Sequence, residues 1–252
     1  MEDLEQAQYL NTLRNEIAQY AYTLTGSYIP VKFNNSDSMK DPFNPSYTDG
    51  KQIVVGGTSN KEDRPVIIGT ALHEGSHIAQ TDFDVWFDAA ENPKDYLKPD
   101  TIDRIDELGL NDENLQKTLK HVFNVVEDRY IDSWAYSTSP GFRKYYQKVY
   151  DEFWNSEEVS KDIKSGMHEE IDLTEETIHA YLFSVTNISN PDVRDHAHYL
   201  NGMPDIIQTI DLDNILRLSK TDDRLGVTGE VIGIILDNIT DPAEDENSEY
   251  DD

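Results

Sequence analysis

Two histidines one helical turn apart, with a glutamate beside the first, are the side chains of this sequence best suited to chemistry. His73 and His77 are four residues apart, and Glu74 directly follows His73. Residues at this spacing lie on one face of a helix, so both imidazoles can bind the same ion. Zinc suits such ligands, and it lowers the pKa of a bound water to about 7. Glu74 would accept a proton from that water and pass it to the leaving group.

The alternative to metal binding is that His73 and His77 are two surface histidines on a solvent-exposed helix face. The context favours the metal, because the pattern predicts a helix over residues 64–80 with an apolar opposite face, and Pro65 suits its first turn. Gly75 and Ser76 are small, which predicts close packing there. The chain has no cysteine, so a zinc ion would have to be bound by histidine and carboxylate side chains.

A catalytic zinc needs a third protein ligand, and a second predicted helix, from residue 111 or 112 to about 135, offers candidates. They are His121, Asn124, Glu127, Asp128 and Asp132. Asn124, Asp128 and Asp132 follow one another at steps of four, so they form one polar stripe. This stripe favours Asp128 as the ligand, with Asn124 and Asp132 as supporting groups. The longer reach of Glu127 favours that residue instead, and neighbours point about 100° apart, so only one can bind directly.

Both helices resemble those of the zincin metallopeptidases. In the gluzincin branch, an acidic third ligand is followed four residues later by an Asp or Asn that orients a ligand histidine, and Asp128 with Asp132 matches that spacing. The segment 124–132 also resembles a pattern in predicted metallopeptidases of bacteria and phages that often precede a von Willebrand factor A domain. Residues 140–146 are similar to a second segment of those proteins. The resemblance covers roughly residues 45–155, but Asp132 replaces the usual Glu and no von Willebrand factor A domain is present.

The resemblance implies two further features. One is an edge strand ahead of the active-site helix that pairs with extended substrate. Residues 47–56 stand in that place, although an ordinary core strand is an equal alternative for them. The other is a downstream Tyr or His that stabilises the oxyanion. No such donor can be chosen from the sequence, and the remaining histidines are predicted to be surface or capping residues: His168, His179, His196 and His198.

The elements that must position these groups are mostly helical, which predicts an α+β fold whose zincin-like active-site helix packs on a small edge sheet. Strands are predicted near residues 28–33 and 52–55. Residues 81–110 are acidic and irregular, with short helices. The other predicted helices cover residues 2–25, 142–154, 174–187, 204–219 and 227–239. Residues 1–239 are predicted to form one zincin-like domain, helical from about residue 140, followed by a disordered acidic tail, residues 240–252.

The charge balance restricts the partners. The chain has 21 basic and 50 acidic side chains and a formal net charge of −29. Such a surface repels nucleic acids and anionic membranes and attracts basic proteins and divalent cations. The N-terminus lacks a signal-peptide pattern, and no apolar run is long enough to span a bilayer. We expect a soluble protein, cytoplasmic or, if encoded by a phage, associated with the virion.

These observations predict a zinc-dependent hydrolase, specifically a metallopeptidase with Zn²⁺ as cofactor and a protein or peptide, preferably basic, as substrate. One alternative is a catalytically inactive zincin-fold module for binding or assembly, of phage origin, that keeps the metal helix for stability. A second alternative is a metal-dependent hydrolase of a non-peptide amide, since residue types alone do not separate the two bonds.

Overall fold

The computed structural model describes residues 2–35, 46–57, 60–166 and 174–239. They form the predicted mostly helical α+β fold with a small mixed sheet. The strands are β1 Val31–Asn35, β2 Tyr47–Thr48 and β3 Ile53–Gly57. The helices are α1 Glu2–Thr25, α2 Arg64–Gln80, α3 Phe83–Glu91, α4 Pro99–Glu107, α5 Asp112–Thr138, α6 Arg143–Phe153, α7 Glu157–Gly166, α8 Thr174–Thr186, α9 Pro191–His196, α10 Met203–Ile210 and α11 Thr221–Asp237.

Internal packing divides the chain into two compact units. The first consists of Met1–Phe83 and Tyr130–Phe153, and the second of Asp84–Arg129 and Trp154–Asp252. Each unit is therefore built from two separate chain segments, and the division crosses α5. The predicted disordered tail, residues 240–252, lies outside the described residues.

In the first unit, the sheet has the order β1-β3-β2. β1 pairs with β3 in parallel, and β2 pairs with β3 antiparallel. All five residues of β3 are buried. β3 therefore has a partner on each side, so within residues 47–56 the edge-strand interpretation is wrong for β3 and the alternative of an ordinary core strand is correct. In the described part of the sheet, β1 and the two-residue β2 have the edge positions.

The core of the first unit forms where α1 and α2 pack together and α2 covers β3. Residues at helical spacing on α1 point into it, as their periodicity predicts: Leu13, Ile17 and Ala21. α2 begins with Pro65 in its first turn, as predicted. It ends where Thr81 turns to extended backbone and donates its N–H to the carbonyl of His77 at 2.8 Å. The histidine pair thus lies in the last two turns of a helix anchored on the sheet.

A glycine sets how closely α6 approaches α2. A Cβ at Gly69 would lie 2.5 Å from Val149 Cγ2 and 2.6 Å from the backbone oxygen of Tyr145, too close for any side chain. A Cβ at Gly75 would meet only ordinary contacts, 3.6 Å or longer. The close packing that the sequence predicts near Gly75 is therefore tightest six residues earlier on α2, at Gly69, where α6 lies against the helix.

In the second unit, the part of α5 up to Arg129 contacts α8 through His121 and α11 through Glu127. The side chain of Asn111 accepts a hydrogen bond from the N–H of Asn114 at 2.8 Å, so Asn111 caps α5. The predicted helix 204–219 is interrupted at Asp211, where φ is +49°. Arg217 binds the carbonyl of Thr209 at 2.8 Å and that of Ile210 at 3.2 Å, which satisfies the end of α10. No helix among the described residues is both long and apolar enough to cross a membrane.

Candidate metal centre

The two histidines of α2 turn the same nitrogen toward each other. His73 Nε2 and His77 Nε2 are 3.1 Å apart, and the rings meet edge to face with centroids 4.6 Å apart. Two nitrogens bound to one tetrahedral zinc at about 2.0–2.1 Å are separated by about 3.3 Å. The spacing of the two imidazoles in this structure therefore suits a shared zinc ion.

The other nitrogen of each ring is held by a polar side chain. His73 Nδ1 lies 2.7 Å from Asp132 Oδ1, and because an ionised carboxylate only accepts, the ring donates through Nδ1 and presents its Nε2 lone pair. His77 Nδ1 lies 3.1 Å from the hydroxyl of Thr81, four residues on. In metal sites, such contacts hold the ring orientation of ligand histidines, and a carboxylate partner such as Asp132 also fixes the tautomer.

Asp132 itself is held at both oxygens. Its Oδ1 accepts from His73, and its Oδ2 accepts from the hydroxyl of Tyr150 on α6 at 2.7 Å. The residue is 6% exposed. Asp132, which the sequence predicts to be a supporting group, is therefore hydrogen-bonded to His73, one of the predicted ligands.

Asp128 lies one turn before Asp132 on the same unbroken helix. Its carboxylate oxygen and one ring nitrogen each from His73 and His77 all lie within 4.8 Å of one another. Asn124 donates its side-chain N–H to Asp128 Oδ2 at 3.1 Å. Two imidazoles and a carboxylate are a donor set of catalytic zinc sites, so these residues fit the ion.

Glu127, the alternative third ligand, has a different partner. It forms a buried ion pair with Arg224 of α11, whose Nε donates to Oε2 and whose Nη2 donates to Oε1 at 2.9 Å. The residues are 1% and 0% exposed. Arg224 also donates to the carbonyl of Leu218 at 2.7 Å and to the hydroxyl of Thr221 at 3.1 Å. With both oxygens bound to a guanidinium, Glu127 is poorly placed to bind a metal as well.

Glu74 is buried, with 7% of its surface exposed, and follows His73 on α2. Nearby, the fully buried Ser76 donates to the carbonyl of Leu72 at 2.8 Å and lies 3.4 Å from the hydroxyl of Tyr146 on α6. Burial, and then the negative charge of Asp132, raise the pKa of the Tyr146 hydroxyl well above its usual range. Tyr146 therefore stays neutral at every pH at which the protein would work.

The remaining histidines have other surroundings. His121 Nε2, on the exposed side of α5, lies 2.7 Å from the hydroxyl of Thr186, so it belongs to the packing of α8. His196 Nδ1 lies 2.8 Å from the carbonyl of Asp192, and the ring of His198 rests against Tyr199. His179 lines a cavity of about 400 Å³ in the second unit, and His168 lies outside the described residues.

Three partners of the candidate ligands and of their neighbours were not predicted from the sequence. The contact of Thr81 with His77 could have been predicted, because the two residues are four apart and so lie on the same helix face. Tyr150 and Arg224 carry no such signal, since each meets its carboxylate across a long chain separation.

Comparison of the chain with family models, with curated proteins and with solved structures gives no match in any of the three. The zincin resemblance therefore stays a prediction from the two helices.

Proposed function

We propose that this chain is a zinc-dependent hydrolase that cleaves peptide bonds, with His73, His77 and Asp128 as the zinc ligands. The observation that carries the proposal is the convergence of two Nε2 atoms 3.1 Å apart, beside the Asp128 carboxylate. Contacts to Nδ1 of each ring favour this orientation. Two surface histidines on a solvent-exposed helix face would require neither the buried Asp132 nor the rest of the polar stripe, Asn124 and Asp128.

The chemistry divides between the ion and the chain. Zinc, when bound, supplies a Lewis acid that polarises the scissile carbonyl and makes water more acidic. Glu74 takes the proton of the attacking water and returns it to the leaving amine, which is general acid–base catalysis. Asp132 keeps the His73 ring in the tautomer that presents Nε2. Asn124 restrains one oxygen of Asp128 by its hydrogen bond.

The substrate class follows from charge. A chain with a net charge of −29 attracts cationic molecules over the Debye length, about 8 Å at physiological ionic strength. We therefore propose basic peptides or basic protein segments as substrates. A cytoplasmic location, or a virion location for a phage protein, belongs to the same proposal.

The test is to replace Glu74 with Gln and follow cleavage of a mixed peptide library by zinc-loaded protein. Because Gln keeps the shape but cannot accept the proton, we expect the rate to fall roughly 10²–10⁴-fold while zinc content and melting temperature stay at wild-type values. Glu113→Gln, an exposed residue of α5 paired with Lys117, is the matched control and should keep full activity.

Two results would contradict the proposal. Full activity of Glu74→Gln would remove Glu74 from the mechanism. A zinc-loaded wild type that cuts no peptide in the library would favour a non-catalytic module or the hydrolysis of a different amide.

A further inference from the structure

Two tyrosines of α6 reach the two helices that carry the candidate ligands. Tyr146 and Tyr150 are four residues apart and so lie on one face of α6. The hydroxyl of Tyr146 lies 3.4 Å from Ser76 of α2, and the hydroxyl of Tyr150 donates to Asp132 of α5 at 2.7 Å. One helix face therefore connects to both histidine-bearing and carboxylate-bearing helices.

The approach of α6 that permits these contacts depends on Gly69. The missing side chain leaves room for Val149, the residue before Tyr150, and for the backbone of Tyr145. Val149 and Tyr146 are buried, so their packing fixes the position of α6 along α2 and its rotation about its own axis. The Tyr150 hydroxyl is thus placed by the core of the first unit rather than by a loop.

The contact adds a second hydrogen bond to the Asp132 carboxylate. The Cβ–Cγ torsion of an aspartate is broad, so each hydrogen bond to the carboxylate narrows the range of its orientations. A donor on each oxygen leaves one orientation in which both hydrogen bonds are made. The orientation of Asp132 in turn decides the direction of the His73 Nδ1–H bond, and hence of Nε2 on the far side of the ring.

We propose that Tyr150 is a positioning residue of the zinc centre, which it serves through Asp132 and His73 without touching the ion. The inference rests on the proposed function, since it requires His73 to be a ligand. Phenol is the suitable donor here, because it can satisfy a buried carboxylate oxygen without adding the positive charge that Arg224 brings to Glu127.

The experiment measures the zinc dissociation constant by competition with a chelating dye, for folded protein without substrate. Removing the hydroxyl in Tyr150→Phe should raise that constant about 10-fold, the lower end of the roughly 10–100-fold effect of supporting partners. Tyr146→Phe is the matched control on the same helix face, and its zinc affinity should equal that of the wild type. Thermal unfolding by circular dichroism accompanies each variant.

A double-mutant cycle separates positioning from general stabilisation. Asp132→Ala should weaken zinc binding by itself, and adding Tyr150→Phe should then have no further effect, because the carboxylate through which Tyr150 acts is gone. A merely structural tyrosine would weaken both backgrounds equally, which would overturn the proposal. If the wild type binds zinc and Tyr150→Phe has the same zinc affinity, the positioning role of Tyr150 is overturned but the proposed function is not. If the wild type has no zinc affinity, both are overturned.

If Tyr150→Phe does not fold, a second measurement tests the proposal without that variant. In the wild type, a His73 Nδ1 proton donated to an ordered carboxylate should give a low-field proton NMR signal, which Asp132→Ala removes and Tyr146→Phe leaves in place. A Tyr150 hydroxyl proton donated to the same carboxylate should give its own slowly exchanging signal. Rapid exchange of that hydroxyl proton in folded wild type would contradict the positioning role.

Discussion

Each of the two compact units buries an acidic side chain of the same helix, α5, but the two carboxylates have different hydrogen-bond partners. In the second unit, Glu127 is bound at both oxygens by the guanidinium of Arg224. In the first unit, Asp132 accepts one hydrogen bond from an imidazole and one from a phenol. Both carboxylates are at most 6% exposed, so burial alone does not distinguish them.

The difference lies in what the partners can do. Arginine stays protonated in proteins, so the Glu127 pair is a fixed structural unit that ties α5 to α11. Histidine and tyrosine donate hydrogen bonds while remaining neutral, which keeps the charge of Asp132 available to a ligand histidine and, through it, to a cation. The acid bound to arginine is thus a structural pair, whereas the acid bound to a histidine that faces another histidine is the one we propose to support a metal ion.

The largest effect on stability is expected from breaking the pair in the second unit. Arg224→Met leaves the Glu127 carboxylate buried without its cation, and losing one partner of such a pair costs about 3–5 kcal/mol. Urea unfolding should show this loss in the free energy of unfolding, while the zinc content of the remaining folded protein stays unchanged. A folded Arg224→Met protein that had lost its zinc would contradict this separation, because it would show that zinc binding depends on the Glu127–Arg224 pair.

The double variant Glu127→Leu with Arg224→Met is the control for that prediction. It removes both charges, so most of the lost stability should return, as it does when buried ion pairs are replaced by apolar side chains. A double variant as unstable as the single one would mean that Arg224 acts chiefly through its bonds to Leu218 and Thr221.

A smaller effect is expected in the first unit, where Gly69 lets α6 reach the centre. The Cβ of Gly69→Ala would overlap the backbone of Tyr145, and such overpacking costs roughly 1–3 kcal/mol. Gly75→Ala is the matched control in the same helix. It has room for a Cβ and should stabilise the protein by roughly 0.5–1 kcal/mol through the helix preference for alanine. Equal unfolding free energies for the two variants would contradict the close approach of α6.

Features set by nearby residues could be predicted from the sequence, whereas contacts between residues far apart in the chain could not. The bounds of α1 and α2 follow from periodicity and capping, which act within a few residues, and the start of α5 is predicted to within one residue, at 111 or 112. The choice between Glu127 and Asp128 stayed open, because it depends on Arg224, almost 100 residues away. Likewise, β3 is central in the sheet because β1 pairs with it in parallel. No short sequence pattern shows which strand will pair with which.

Zinc stoichiometry, measured by elemental analysis of protein purified with added zinc, tests the central claim most directly. One zinc ion per wild-type chain is expected, together with its loss in His77→Ala and in Asp128→Ala, because each removes a donor from the cluster of three. His121→Ala, on α5 but bound to Thr186, should keep the full zinc content. Wild-type protein without zinc, or with zinc that His77→Ala retains, would contradict the account.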